Sequence, residues 1–198
     1  MNAAAPHPLV ARLERALAGR TPQSAERDEP FKEAAVALVV RPRDDDDADL
    51  LLIRRAARAG DPWSGQIGLP GGRFDPTDES LEATALRETL EEVGLDLRTR
   101  GRVLGMLDEL RPRTPVLPPI VVRPYVCVVE GNADLVTNEE VAEVRWVRLG
   151  ELFVPGARVN TTVRVRDHDM RVDAYQHGDF TIWGMTERIL AGFHGLWR

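Results

Sequence analysis

The sequence predicts an α/β sandwich built on a mixed sheet, and three observations lead there. β-prone runs at Ala34–Val40, Leu50–Arg55 and Val121–Val129 flank a segment of helical periodicity centred on LRETLEEVGL, Leu86–Leu95. A second helical pattern, Ile182–Trp197, closes the chain. Strands wrapped around a helix and followed by another one pack as layers over a common core. A length of 198 residues suits one such domain with a terminal extension.

Taken in order, Pro8–Gly19 carries Leu9, Val10, Leu13 and Leu17 at helical spacing. Arg20–Pro30 is polar, so residues 1–30 read as an N-terminal helix and linker ahead of a domain at 31–198. AAVALVV is a strand, the DDDDAD run that follows is a solvated hairpin tip, and LLLIRR is the returning strand. Gly101–Asp108 reads as a strand and Pro112–Pro119 as a proline-punctuated loop. VVRPYVCVV is a strand whose Pro124 favours an edge or bulged position. Glu143–Val147 alternates as a short strand, and Val163–Tyr175 holds two β segments around a turn at Asp167–Asp169. In the closing helix Ile182, Met185, Ile189, Leu190 and Phe193 face the core.

Composition removes several classes of function. The net charge of −6 lacks the basic stripe that a general nucleic-acid binder needs. A small anionic ligand stays compatible, because a bound metal inverts the local field. Cys127 is the single cysteine, so an intrachain disulfide is excluded and a reducing cytoplasm is the expected setting. MNAAAPHPLVARLERALAGR has no apolar leader core, and no stretch approaches a membrane span, so neither membrane nor secretory placement is expected. Monomer and homodimer are both open.

The central helix raises a question of charge. Glu88, Glu91 and Glu92 fall within an arc of roughly 100°, while Leu81, Ala85, Leu86, Thr89, Leu90 and Val93 fill another. Asp78 is the expected N-cap, Glu79 and Glu82 suit the first turn, and Gly94 suits the C-terminal stop. Carboxylates about 6 Å apart repel by ~3 kcal/mol at an effective dielectric near 20. Arg87 can reach Glu91 but cannot neutralise all three acids. A hard divalent cation such as Mg²⁺ or Mn²⁺ can, since it takes carboxylate and water oxygens. By themselves the acids read equally well as a solvated face. The preceding GQIGLPGGRFDPTDES sharpens the case, because Pro70 fixes a turn and Gly71–Gly72 let backbone approach a ligand closely.

Gly72, Glu79, Arg87, Glu88, Glu91, Glu92, Gly94 and Leu95 together resemble the signature box of the Nudix hydrolase family. The loop between Gly72 and Glu79 is one residue longer than in that box, and Thr89 replaces an aliphatic residue. The likeness covers roughly Ala34–Leu152, and LLIRR, the PGG turn, DPTDESLEATALRE and IWGMTERIL are similar to the coenzyme A diphosphatase branch. It implies a Nudix-type α/β/α sandwich and hydrolysis of a nucleoside diphosphate linked to another group. Coenzyme A or its derivatives are one such substrate; nucleotide sugars such as ADP-ribose and noncanonical nucleoside triphosphates are others, and a nucleotide-sensing module that does not cleave is the rival class. By the same mapping Mg²⁺ or Mn²⁺ would be held by Glu88, Glu91, Glu92 and the Gly71 carbonyl, with Arg87 orienting Glu91 or Glu79. Glu139 and Glu140 are the candidate bases, of which Glu140 is preferred. Trp63 and Tyr125 are candidates for stacking on a base, with packing as the alternative. Arg54, Arg55 and Arg58 are candidates for phosphate, with a solvated basic strand end as the equal alternative. His168, His177 and His194 lack zinc-ligand spacing and take no role.

Overall fold

The computed structural model describes residues 7–61, 63–112, 119–165 and 168–197. Most of the proline-punctuated loop, and one residue of the turn at Asp167–Asp169, lie outside them. Helix α1 (Pro8–Ala18) precedes strands β1 (Lys32–Pro42), β2 (Ala48–Arg55), β3 (Ile67–Gly68) and β4 (Gly71–Arg73). Helices α2 (Leu81–Val93) and α3 (Leu97–Arg100) lead into β5 (Gly101–Met106), β6 (Ile120–Val129) and β7 (Val141–Arg148). The chain ends with α4 (Leu149–Leu152), β8 (Arg158–Val165), β9 (His168–His177), β10 (Phe180–Trp183) and α5 (Gly184–Trp197).

Strands β1 to β7 form one mixed seven-stranded sheet. β1 and β6 run parallel along nine paired positions from Lys32–Ile120 to Val40–Val128, and the other pairings are antiparallel. Side chains alternate across this sheet and build a core on each face. Ala35, Ala37, Val39, Leu51, Ile53, Tyr125 and Cys127 pack with Leu81, Ala85 and Val93 of α2. Leu38, Val40, Leu50, Leu52, Val126 and Val128 pack with α1, α5 and the separate antiparallel sheet β8–β9–β10. The α/β/α layering with a mixed sheet is therefore as expected. Cys127 is fully buried, and desolvation pushes its thiol up to about 12. No helix among the described residues is long and apolar enough to cross a membrane.

Several expectations need correcting. The closing helix begins at Gly184, and Ile182 belongs to β10, where Phe180 and Ile182 alternate inward and pair with His177–Ala174 of β9. Gly184, at φ +70, turns the strand into the helix. The acidic run is only partly a solvated tip. Asp47 and Asp49 are buried: Asp49 binds Arg41 at 2.7 Å, and Asp47 accepts the Gly150 N–H at 3.0 Å and Arg148 at 2.6 Å. Pro124 lies in an interior strand, yet its carbonyl faces Leu107 beyond the end of β5. Pairing on that side continues beyond β5, Leu107 with Pro124 and Leu110 with Val122, and only the donor that proline lacks is missing from it. β3, β4, α3 and α4 are too short to leave a periodic signal.

The N-terminal segment is stitched to the rest. Leu9, Val10, Leu13 and Leu17 of α1 are buried in the larger core, beside β5 and α5. Downstream, Asp108 holds Arg20 at 2.6 Å and the Gln23 N–H at 2.7 Å. Glu109 accepts from the Ala25 N–H, Arg27 and Arg123, and these donors pull its carboxyl down to about 2 despite burial. Leu13→Ala is expected to cost about 3 kcal/mol in urea unfolding, within a single transition shared by the whole chain. A separate early transition for the helix would show that it is only appended.

Candidate active site

The site begins with a parting of strands. β2 leaves β1 after the Val40–Leu50 pair, although both continue. β3 then pairs with β2 at Ile53 and Arg54, while β4 pairs with β1 at Ala34–Val36. Between them the Pro70 carbonyl accepts the Ala37 N–H at 2.8 Å, so the glycine turn is pinned inside the opening. Gly71 has φ +151, and a Cβ there would strike the Ala35 carbonyl and Val36. A Cβ on Gly72 would overlap the Glu88 carboxylate. Glycine is required at Gly71, where the obstruction is backbone; a Cβ at Gly72 would instead push the Glu88 carboxylate from its place.

Helix α2 supplies the other wall. Its N-cap is Ser80, whose hydroxyl accepts the Ala83 N–H at 3.1 Å, and Gly94 ends it in the left-handed conformation. Asp78 is thus not the cap. It instead takes Arg87 through two hydrogen bonds, at 2.9 and 3.0 Å, and accepts the Thr84 hydroxyl at 2.8 Å. The same guanidinium reaches Glu91 at 3.0 Å and Glu88 at 3.0 Å, whereas the expected contact to Glu79 is absent from its ion pairs among the described residues. Asp78, at the end of the loop that is one residue longer than the family box, is the acid that holds Arg87. Thr89 is fully buried with its hydroxyl on the Ala85 carbonyl, while Leu90 is 42% exposed rather than core-facing.

The three glutamates differ sharply in environment. Glu92 is 1% exposed and accepts the Gly71 N–H at 2.9 Å; Glu88 is half-buried against Gly72; Glu91 is exposed. Desolvation raises the Glu92 carboxyl to about 7 against the pull of the Gly71 N–H and Arg55, and the charges of Glu88 and Glu140 add to the rise. Glu88 is raised too, by desolvation first, with Glu91 and Glu140 contributing. Glu140 therefore shares the field of the helix acids. It pairs with Arg58 at 2.8 Å, and its neighbour Glu139 is 90% exposed.

Arginine placement follows strand alternation. Arg55 faces α2, with Asp61 at 3.1 Å and Glu92 at 3.9 Å, and its buried Nε has no hydrogen-bond partner. Arg54 faces the opposite side, where it pairs with Glu143 and Asp179, so it is not beside the acids. Tyr125 is 7% exposed within the core under α2, and packing rather than stacking on a ligand is what its ring does here. Trp63 packs against Ala34, Ile120 and Val122 with its buried Nε1 unpaired. Asp61, which positions Arg55, had no pattern in the sequence to distinguish it.

The model of the NUDIX domain matches residues 31–166. The chain belongs to the Nudix hydrolase family. A Photorhabdus laumondii protein described as "Uncharacterized Nudix hydrolase NudL" is 36% identical over 142 residues, covering 71% of this chain and 73% of that protein. An uncharacterized protein of Schizosaccharomyces pombe is 39% identical over 110 residues, 54% of this chain, and the match spans 33% of its length. The crystal structure of a MutT/nudix family protein from Enterococcus faecalis superposes with a TM-score of 0.58 at 24% identity, over 88% of this chain and 65% of that one. A C. elegans Ap4A hydrolase gives 0.51 at 19% identity, over 61% and 82% of the two chains. These two likenesses are of fold.

Among the described residues of this Nudix domain, no three His, Cys, Asp or Glu side chains are drawn together tightly enough to clasp a metal. What the site offers is a set of hard oxygen donors whose charges destabilise one another, with Gly72 lying directly against the Glu88 carboxylate. That donor set fits a hard divalent cation. Asp78→Asn is expected to lower stability by about 2–3 kcal/mol in denaturant melts, with Glu79→Gln within about 0.5 kcal/mol of the parent. Equal effects of the two substitutions would return the role of anchor to Glu79.

Proposed function

We propose that the chain hydrolyses a diphosphate bond in a nucleoside diphosphate linked to a second group, with coenzyme A or its derivatives as the leading substrate. The observation that carries this is the pair Glu88 and Glu92 held against Gly71–Gly72, with Glu140 in the same field. A surface patch of acids would face solvent; Glu92 is buried beside a backbone N–H. The coenzyme A assignment rests on the sequence likeness of the β2 end, the glycine turn and the start of α5.

Glu88, Glu91, Glu92 and the Gly71 carbonyl would hold Mg²⁺ or Mn²⁺, which when bound supplies charge neutralisation at the phosphoryl oxygens. Arg87, braced by Asp78, fixes Glu88 and Glu91 in place before any substrate arrives. Glu140 accepts the proton of the attacking water, and its pairing with Arg58 fixes the position of its carboxylate for that task. Arg55, held by Asp61 near Glu92, adds positive charge beside the scissile group.

Incubation with coenzyme A, ADP-ribose and nucleoside triphosphates, with and without Mg²⁺, and mass analysis of the products tests the proposal. Hydrolysis confined to the Mg²⁺ samples is expected, whereas nucleotide-dependent thermal stabilisation without products would make the chain a sensor. Glu140→Gln is expected to lower kcat by about 10²–10⁴-fold, and Glu139→Gln to leave it within about twofold; the reverse order would move the base to Glu139.

Glu92 gives a pH test. Its folded value of about 7 lies above the ordinary value of 4.5, so the unfolded chain loses this proton first. The contribution of Glu92 to stability therefore falls as pH rises from about 4.5 to 7. In chelator the parent should lose stability over that window relative to Glu92→Gln, and Mg²⁺ should restore the parent but not the variant. Parallel pH profiles for the two proteins would contradict the buried carboxylate.

A further inference from the structure

A cleft of about 430 Å³ opens on the far side of the Asp61–Gln66 loop from the acids. That loop forms one wall, with Asp61, Ser64, Gly65 and Gln66, while Asp179, Thr181 and Trp183 of the β9–β10 hairpin form the facing wall. Arg54 closes the base between them. The cleft is joined to the reaction site through Asp61, which lines it and also holds Arg55 at 3.1 Å, whose other nitrogen lies 3.9 Å from Glu92. Its size suits a group such as a nucleoside.

The charges around the cleft are already matched. Arg54 donates to Glu143 at 3.2 Å and Asp179 at 2.6 Å, and Arg145 binds the same two acids, closing a square over the Phe180 ring. Asp61 is occupied by Arg55 and the Trp63 N–H, and Arg164 on the rim pairs with Asp169. Two arginines and two aspartates among the lining residues leave no surplus charge. A phosphate entering here would have to break an existing pair, whereas a neutral group meets the indole of Trp183 and two hydroxyls with capacity left, Ser64 beyond its bond from the Arg58 N–H and Thr181 beyond its bond to Gln176.

Resting on the proposed diphosphate cleavage, we infer that this cleft is the specificity pocket for the uncharged end of the substrate. It takes a hydrogen-bonding group with one flat or aliphatic face, which a nucleoside and an amide-bearing aliphatic arm both supply. Three of the eleven lining residues, Asp179, Thr181 and Trp183, follow position 166, where the match to the family model ends. The C-terminal hairpin thus contributes to selectivity alongside the residues of the matched domain.

The test uses the full chain in metal-free buffer, with saturation-transfer NMR on millimolar adenosine and, separately, pantetheine. At least one probe should bind the parent; adenosine would name the nucleoside as the occupant, and pantetheine the amide arm. Trp183→Ala should weaken that binding about tenfold, Trp183→Phe should retain it, and Thr181→Phe, which fills the cleft from its edge, should abolish it. Failure of both probes on the parent, or equal binding by the parent and the folded variants, overturns the inference. Because no turnover is read, a lack of hydrolysis in the substrate panel would sink the proposed reaction without deciding this result.

Discussion

The site depends on one uncomfortable burial, that of Glu92. A carboxylate almost sealed from water, beside another one half-sealed, is disfavoured in its charged form, and the fold offers it a single backbone N–H and a distant guanidinium. That N–H belongs to Gly71, and it arrives there because β1 and β2 part after Leu50 and admit the glycine turn. Every other feature of the site follows from keeping this geometry. Gly71 cannot carry a side chain, one at Gly72 would displace the Glu88 carboxylate, and Pro70 ties the turn to Ala37.

Around that centre the fold distributes charge by strand alternation and helix spacing. Adjacent residues on β2 send Arg54 and Arg55 to opposite faces, one to the β8–β10 sheet and one to the acids. Arg87 serves three acids from a single position because Asp78, Glu88 and Glu91 surround it from loop and helix. Such bracing raises no free charge, yet it fixes the acids before a ligand binds, and the ordering cost is met by folding rather than by association.

Long periodic elements were legible in the sequence, and so was the acidic face of α2, because hydrophobic alternation and carboxylate spacing are local facts. The parting of β1 from β2 was not, since β3 and β4 span only two and three residues and leave no periodicity. Asp78 was read as a cap because its type suits one; its true partner, Arg87, lies nine residues on and is reached only once the loop folds back. The settings of Arg54 and Tyr125 were hidden for the same reason, as residue type does not reveal which face of a sheet a side chain occupies or how deeply it is covered. Asp47 and Asp49, within an acidic run, are buried by long-range partners at Gly150 and Arg148 and by Arg41 across the hairpin.

The packing of α1 against α5 has a consequence for how the chain is made. Arg12 donates to the Trp197 carbonyl, and Leu9, Val10, Leu13 and Leu17 share a core with Ile189, Leu190 and Phe193. Helix α1 thus leaves the ribosome well before α5 and waits for it to complete its hydrophobic seat. Until then part of its apolar stripe is open to water, and a nascent chain in that state is a natural client for a chaperone.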